Sequence, residues 1–174
     1  MRRRIVTAIL IILTFVIQTS FLGMLPLPGV PNLLLILTVS MGFMRGRQTG
    51  VLTGFFSGLL LDLFYPNLFG FSALVFMYAG FLTGSLYNVF FDEDIKLPML
   101  FAGTSDLAYN LLYFLADFAL HRRFDFQTYL RSVILPELVA TVIFTILFYR
   151  IYYVVNKYLA AYELEEEQSP WLRR

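Results

Sequence analysis

The chain has 174 residues, of which 59% are hydrophobic, 18% aromatic and only 14% charged, and its net charge is +1. This composition excludes an ordinary water-soluble domain and predicts one integral membrane domain that occupies residues 1–174. The absence of cysteine excludes disulfides, thiolate metal sites and cysteine nucleophiles. The single histidine leaves no second imidazole for a metal site, and we expect no metal and no cofactor.

Apolar runs separated by proline, glycine and charged residues predict an all-α polytopic bundle of about six transmembrane helices. They are expected over residues 5–25, 31–44, 49–65, 71–91, 98–120 and 136–155. The second run is the shortest, and its ~21 Å of helix is less than a ~30 Å hydrocarbon core. This helix therefore either continues through Arg45 or spans only partly.

The orientation follows from the distribution of Lys and Arg. The positive-inside rule places both termini in the cytoplasm, with a basic start (1–4), a helical bundle (5–157) and a cytoplasmic tail (158–174). Within the bundle, residues 122–135 interleave aromatic and polar side chains, which predicts a segment at the membrane interface, with a simple loop as the alternative. Three arginines depart from this rule, because they are expected on the outer side: Arg122, Arg123 and Arg131. Their position suggests that they contact a partner.

Glycine recurs at every fourth position of the third predicted helix, at Gly50, Gly54 and Gly58, and Asp62 continues the series. Residues at this spacing share one helix face, and glycines there allow another helix backbone to approach closely. We therefore expect Asp62 to point toward protein, where a charge inside a membrane requires a partner. It either anchors a neighbouring helix or bound partner, or makes ordinary hydrogen bonds at a helix end.

The other helices also have small or polar faces. Gly80 and Gly84 predict a second close-packing face in the fourth helix. The fifth helix has a polar stripe of Asp106, Asn110, Asp117 and His121. The sixth has one of Glu137, Thr141, Thr145 and Tyr149. The outer end of the shared interior is expected to collect Asp62, Asp117, His121, Arg122, Arg123 and Glu137. This cluster is either a site for a ligand or a partner's helix, or a buried structural network of opposite charges.

No catalytic motif occurs in the chain. There is no H-E-x-x-H, no Gly-x-Ser-x-Gly elbow and no phosphate-binding loop. Asp62 and Asp106 are expected at opposite ends of the membrane, whereas an aspartyl dyad must lie within a few ångströms. We expect no enzyme. A small-molecule-binding subunit of a transporter is the alternative, because helices with polar inward faces can enclose a small polar ligand.

Three sequence features resemble the rod shape-determining protein MreD family. They are the basic N-terminus, P-N-L-L opening the second helix, and G-x3-G-x3-G-L-x2-D-L followed by L-F-G over residues 50–70. The positions that match the family pattern are Pro31, Asn32, Gly54, Gly58, Asp62 and Gly70. Asn32 differs from the Asp that many members have at its position.

The resemblance implies a multi-pass protein of the bacterial inner membrane that serves the cell-elongation machinery without enzymatic activity. The implied partners are MreC, bound directly, and MreB, RodA and the transpeptidase partner of RodA in a larger complex that places peptidoglycan along the side wall. The lipid bilayer is the implied surrounding, and no nucleic acid is expected. The family's architecture is also similar to the S components of energy-coupling-factor vitamin transporters, which keeps the transport alternative open.

Overall fold

The computed structural model describes residues 2–21, 29–65, 69–87, 95–121 and 126–168, and within them the fold is all-α. α1 (Arg2–Val16) continues as a π-helical turn (Ile17–Phe21) and is followed by α2 (Leu33–Arg45), α3 (Arg47–Phe64), α4 (Phe71–Ser85) and α5 (Lys96–His121). The short α6 (Phe126–Tyr129) leads through a second π-helical turn (Leu130–Ile134) into α7 (Leu135–Gln168). The described residues thus form six continuous helical segments, which confirms the predicted all-α bundle.

α2 lies at the centre of the bundle and contacts α1, α3, α4, α5 and α7. Its residues from Leu33 to Phe43 are all buried, as expected for a helix that is apolar on every side. The helix begins where Asn32 Oδ1 accepts a hydrogen bond from the Leu35 N–H at 3.2 Å. It ends at Gly46, whose φ of 83° costs glycine little, and α3 starts at the next residue.

Arg45 ties three helices together at the C-terminal end of α2. Its Nε donates to Asn156 Oδ1 at 2.6 Å, and its Nη1 donates to Thr7 Oγ1 at 2.8 Å. Because Thr7 belongs to α1 and Asn156 to α7, one guanidinium holds both helices against α2. The hydroxyls of Thr14 and Tyr152, 3.0 Å apart, join α1 to α7 a second time. These polar contacts fix the order of the helices inside an otherwise apolar interior.

Some predicted helix boundaries are wrong. The fourth helix, predicted to reach residue 91, ends at Ser85, where the Leu86 N–H donates to the Thr83 carbonyl at 3.1 Å in a tighter turn. The rest of that prediction, residues 88–91, lies outside the described residues, as do residues 22–25 of the predicted first helix.

The last helix continues past the predicted membrane span 136–155, and α7 reaches Gln168 in the tail, where the sequence also favours a helical extension. Residues 156–168 contain neither proline nor glycine and are rich in alanine, leucine and glutamate, which favour helix. The segment 122–135 is not a simple loop, since its part from Phe126 onward is helical and joins α7 without a break. Residues 122–125 and 169–174 lie outside the described part of the chain.

One helix in the described residues, Phe126–Ala161, is long and apolar enough to cross a membrane, and an 18-residue stretch within it has a mean hydropathy of 2.0. Shorter apolar helices accompany it at Arg4–Ser20, Leu33–Arg45 and Phe71–Ser85. Large apolar side chains are exposed on α1, α3, α4, α5 and α7. Helices of this composition with apolar outer faces fit a membrane protein.

Candidate functional site

α3 and α4 form the most extensive helix–helix contact among the described residues. A methyl group added to Gly54 would collide with the carbonyl of Phe76, and one added to Gly58 with the carbonyl of Ser72. The backbones therefore touch with no side chain between them, an arrangement available only to glycine.

The same contact continues toward the start of α3. Gly50 and Gly80 face each other so closely that neither has room for a Cβ, and a Cβ at Gly84 would lie 2.5 Å from the Arg47 Cα. We call Gly50, Gly54, Gly58, Gly80 and Gly84 together the glycine seam. Gly42 of α2, which the sequence pattern did not single out, also lacks space for a Cβ beside Thr83 at this seam.

Asp62 closes the seam at the start of α4. Its side chain is only 2% exposed, and its Oδ1 and Oδ2 accept hydrogen bonds from the backbone N–H groups of Ser72 at 3.2 Å and Ala73 at 3.0 Å. These are the second and third helical residues, whose N–H groups a cap side chain normally satisfies. The cap position itself is Gly70, with φ of 88° and no side chain, so a carboxylate from the preceding helix takes over this role.

Tyr109 of α5 connects the start of α4 to the rest of the site. Its hydroxyl lies 3.1 Å from Ser72 Oγ, and its ring packs against Phe71 and Phe76 with centroid separations of 5.9 and 5.4 Å. It lies within electrostatic range of both Asp62 and Glu137. The structure therefore brings these two predicted site residues to the same end of the bundle.

An open cavity of ≈ 570 Å³ lies beyond Tyr109, between α5 and the start of α7. Its wall includes four tyrosines and two further polar side chains: Tyr65, Tyr109, Tyr113, Tyr129, Asn110 and Glu137. Ser132 and Val133, from the π-helical turn before α7, line it as well. π-helical turns often occur at functional sites, where they change the direction of side chains.

A second carboxylate lies behind the cavity. Asp106, one helical turn before Asn110, is fully buried, and Glu137 lies within electrostatic range of it. The side chains of Asn32 and Thr141 are its polar neighbours, but neither Asp106 oxygen makes a well-formed hydrogen bond with a described residue. The sequence predicts Asp106 far from the outer cluster, whereas it lies beside the residue that begins α2.

The remaining predicted residues fall into two groups. Asn32 lies against α7, because its backbone N–H donates to Thr141 Oγ1 at 3.1 Å. Pro31 precedes it at the start of α2. Asp117 and His121 belong to the last turns of α5, but their side chains lie outside the described part, as do Arg122 and Arg123.

Two contributors to the site were missed from the sequence. Tyr109 sits beside the predicted polar stripe of α5 and was overlooked, because aromatic residues are frequent throughout this chain. Gln18 lines the cavity, and its Oε1 accepts a hydrogen bond from the Leu34 N–H at 3.0 Å. A lone glutamine near the end of an apolar run was the signal that could have identified it.

The comparisons with known proteins agree with this all-α membrane architecture. The family model of rod shape-determining protein MreD matches residues 1–162, which include every described helix except the last turns of α7. Comparison with curated proteins and with solved structures gave no significant match. Because the family match covers nearly the whole chain, the chain belongs to the rod shape-determining protein MreD family and has a role in rod shape determination.

Proposed function

We propose that the chain is a non-enzymatic scaffold of the cell-wall elongation complex that binds MreC and helps to position peptidoglycan synthesis along the side wall. MreB, RodA and the transpeptidase partner of RodA would belong to the same larger complex. The family match over residues 1–162 is the observation that carries this proposal.

The geometry supports a rigid body whose interior serves packing. The glycine seam leaves α3 and α4 no space to slide apart without losing backbone contact, and Asp62 bonds the end of one to the start of the other. α2 is enclosed by the other long helices. A scaffold needs such fixed relative positions, because a partner recognises a surface only when the elements that carry it stay in register.

We further propose that the chain crosses the bacterial inner membrane several times, with both termini in the cytoplasm. The apolar side chains exposed on five of the helices support this topology, as does the length of the helix Phe126–Ala161. An even number of crossings would bring the basic start and the glutamate-rich tail to the same side.

Co-purification with MreC tests the scaffold proposal. The tagged full-length protein, solubilised in mild detergent from cells that express untagged MreC, should recover MreC in near-stoichiometric amounts. A tagged membrane protein of similar size from outside the elongation machinery is the control. Recovery of MreC no greater than in this control would contradict the proposal.

A second candidate is a small-molecule-binding subunit similar to the S components of vitamin transporters. The cavity of ≈ 570 Å³ favours it, because small-molecule sites commonly have about 300–1,000 Å³ and combine aromatic walls with a few polar groups. If the co-purification fails and a vitamin raises the melting temperature of the purified protein, this candidate replaces the scaffold.

A further inference from the structure

The cavity wall carries a carboxylate with no cationic side chain beside it in the described part of the chain. Among the described residues that line the cavity, Glu137 is the only carboxylate, and there is no Lys, Arg or His. Asp106, fully buried behind the wall, adds a second carboxylate within electrostatic range. Two carboxylates in an enclosure of low dielectric repel each other and require either a proton or a cation to stay there.

The environment of Asp106 increases the need for a proton or a cation near the two carboxylates. Both of its oxygens are buried without a well-formed hydrogen bond to a described residue, although buried carboxylates normally accept several. Its amide neighbour Asn110 donates through Nδ2 to the Asp106 carbonyl at 3.2 Å and lies within hydrogen-bonding reach of Glu137. The described polar groups therefore leave the charge of this pair largely uncompensated.

An anion is a poor fit for the same cavity, even though the start of α2 lies beside it. The N–H of Asn32 donates to Thr141 and that of Leu34 to Gln18. The N–H of Leu33 bonds the Pro31 carbonyl at 3.0 Å, and that of Leu35 bonds Asn32. Helix N-termini attract anions through free N–H groups, and here the first four are already occupied.

The walls also suit a cation. Four tyrosines contribute to the lining, and Tyr109 and Tyr113 lie side by side with ring centroids 6.2 Å apart. Aromatic faces attract ammonium and guanidinium groups through the ring quadrupole, most strongly where water is excluded. A carboxylate together with several aromatic rings is the usual combination for recognising an organic cation.

We propose that the cavity between α5 and the start of α7 binds an organic cation, with Glu137 as its counter-ion and the tyrosines as its walls. The cationic group is an ammonium or guanidinium, carried either by a free small molecule or by a basic side chain of a protein partner. The proposal goes beyond the scaffold function and does not depend on which protein the chain binds.

Binding of matched charged and neutral probes tests this proposal. The full-length protein in dodecyl maltoside micelles, whose sugar headgroup carries no ammonium that could compete, would be titrated with n-butylguanidinium and with its uncharged isostere n-butylurea. The blocked peptide acetyl-Gly-Arg-Gly-amide would be compared with its citrulline counterpart in the same way. At least one cationic probe should bind about tenfold more tightly than its neutral partner, as expected for a charge-assisted contact.

The two probes distinguish the sources of the cation. Selectivity confined to n-butylguanidinium supports a free small molecule, and selectivity of the arginine peptide supports a basic side chain of a partner. If neither cation is preferred over its neutral partner, the proposal is wrong, and the two carboxylates hold a proton instead.

Variants at the cavity show where the selectivity arises. Glu137→Gln keeps the shape of the side chain and should reduce the preference for the cation to within about twofold, whereas Glu137→Asp should retain most of it. Thr104→Ala, at an exposed position of α5 that does not line the cavity, should leave the preference unchanged. A preference that survives Glu137→Gln in folded protein overturns the assignment. Loss of selectivity in Glu137→Gln with MreC binding intact would separate this inference from the scaffold function.

Discussion

The glycine seam and the cavity are neighbours that differ in how their polar groups are satisfied. At the seam, backbones touch, and the Asp62 carboxylate accepts two backbone hydrogen bonds. Behind the cavity, Asp106 has no well-formed hydrogen bond to a described residue, and Glu137 lines the cavity itself. Tyr109 belongs to both regions, because it contacts Ser72 at the start of α4 and also lines the cavity.

The difference separates two uses of a carboxylate inside an apolar bundle. A buried carboxylate with matched donors holds helices together and stays in one arrangement. A buried carboxylate without donors destabilises the bundle until a proton or ligand arrives. The comparison therefore predicts that changes at the seam reduce stability and that changes at the cavity alter binding more than stability.

The largest effect is expected from Gly54→Ala. The added Cβ would overlap the Phe76 carbonyl, which belongs to a backbone and cannot rotate away, so α3 and α4 must separate. We expect a loss of about 3 kcal/mol in the free energy of unfolding, measured by denaturation in detergent.

Gly103→Ala is the matched control for this change. The added Cβ there would meet only the Val142 Cγ2 at 3.1 Å, which a small shift of a side chain can relieve. Alanine is also the better helix former, so we expect a change within about 1 kcal/mol. Equal losses in the two variants would mean that the seam is not a special contact.

An intermediate effect is expected from Asp62→Ala. Two buried N–H groups of α4 lose their acceptor, which should cost about 2 kcal/mol and lower the melting temperature. Cells with this variant as their only copy should round up while the protein still inserts into the membrane. Wild-type stability together with normal rods would show that the cap is dispensable.

Asp62→Asn refines that measurement. The amide keeps one oxygen as acceptor and places an NH2 group against the second N–H, so about half of the stability loss should remain. A loss as large as that of Asp62→Ala would indicate that the negative charge at the helix N-terminus matters more than the number of acceptors.

The smallest effect is expected from Tyr109→Phe. The change removes the hydroxyl contact with Ser72 but keeps the ring between Phe71 and Phe76, so we expect a loss of about 1 kcal/mol. Tyr78→Phe, at a tyrosine that is 62% exposed, should change the same denaturation midpoint very little. A loss of unfolding free energy near that of Gly54→Ala would mean that the Tyr109 hydroxyl is as important for the stability of the fold as the glycine seam.

Much of the fold could be predicted from the sequence, because its main signals are local. The four-residue spacing of Gly50, Gly54 and Gly58 predicts a helix face, and the sequence Pro31-Asn32 predicts where α2 begins. Helix ends were less accurate, since α4 ends in a tighter turn from the Leu86 N–H to the Thr83 carbonyl and residues 86–91 contain no proline or glycine that would mark it.

The site was less predictable, because its contacts join residues far apart in the chain. Asn32 and Thr141 are separated by 109 positions, and neither has a local pattern that points to the other. Asp106 lies beside the start of α2 because of the depth at which this short helix packs within the bundle, and the sequence does not give that depth. A periodicity shows which face of a helix is polar but does not give the depth at which two polar faces meet.

The single-residue link at Gly46 has a consequence for biogenesis. α2 is too short to cross a ~30 Å hydrocarbon core alone, at ~1.5 Å of rise per residue, and Gly46 passes directly from it into α3. We therefore expect the translocon to release α2 and α3 together as a helical hairpin. A fusion truncated after α2 should leave its C-terminal tag on both sides of the membrane, whereas one truncated after α3 should place the tag on a single side.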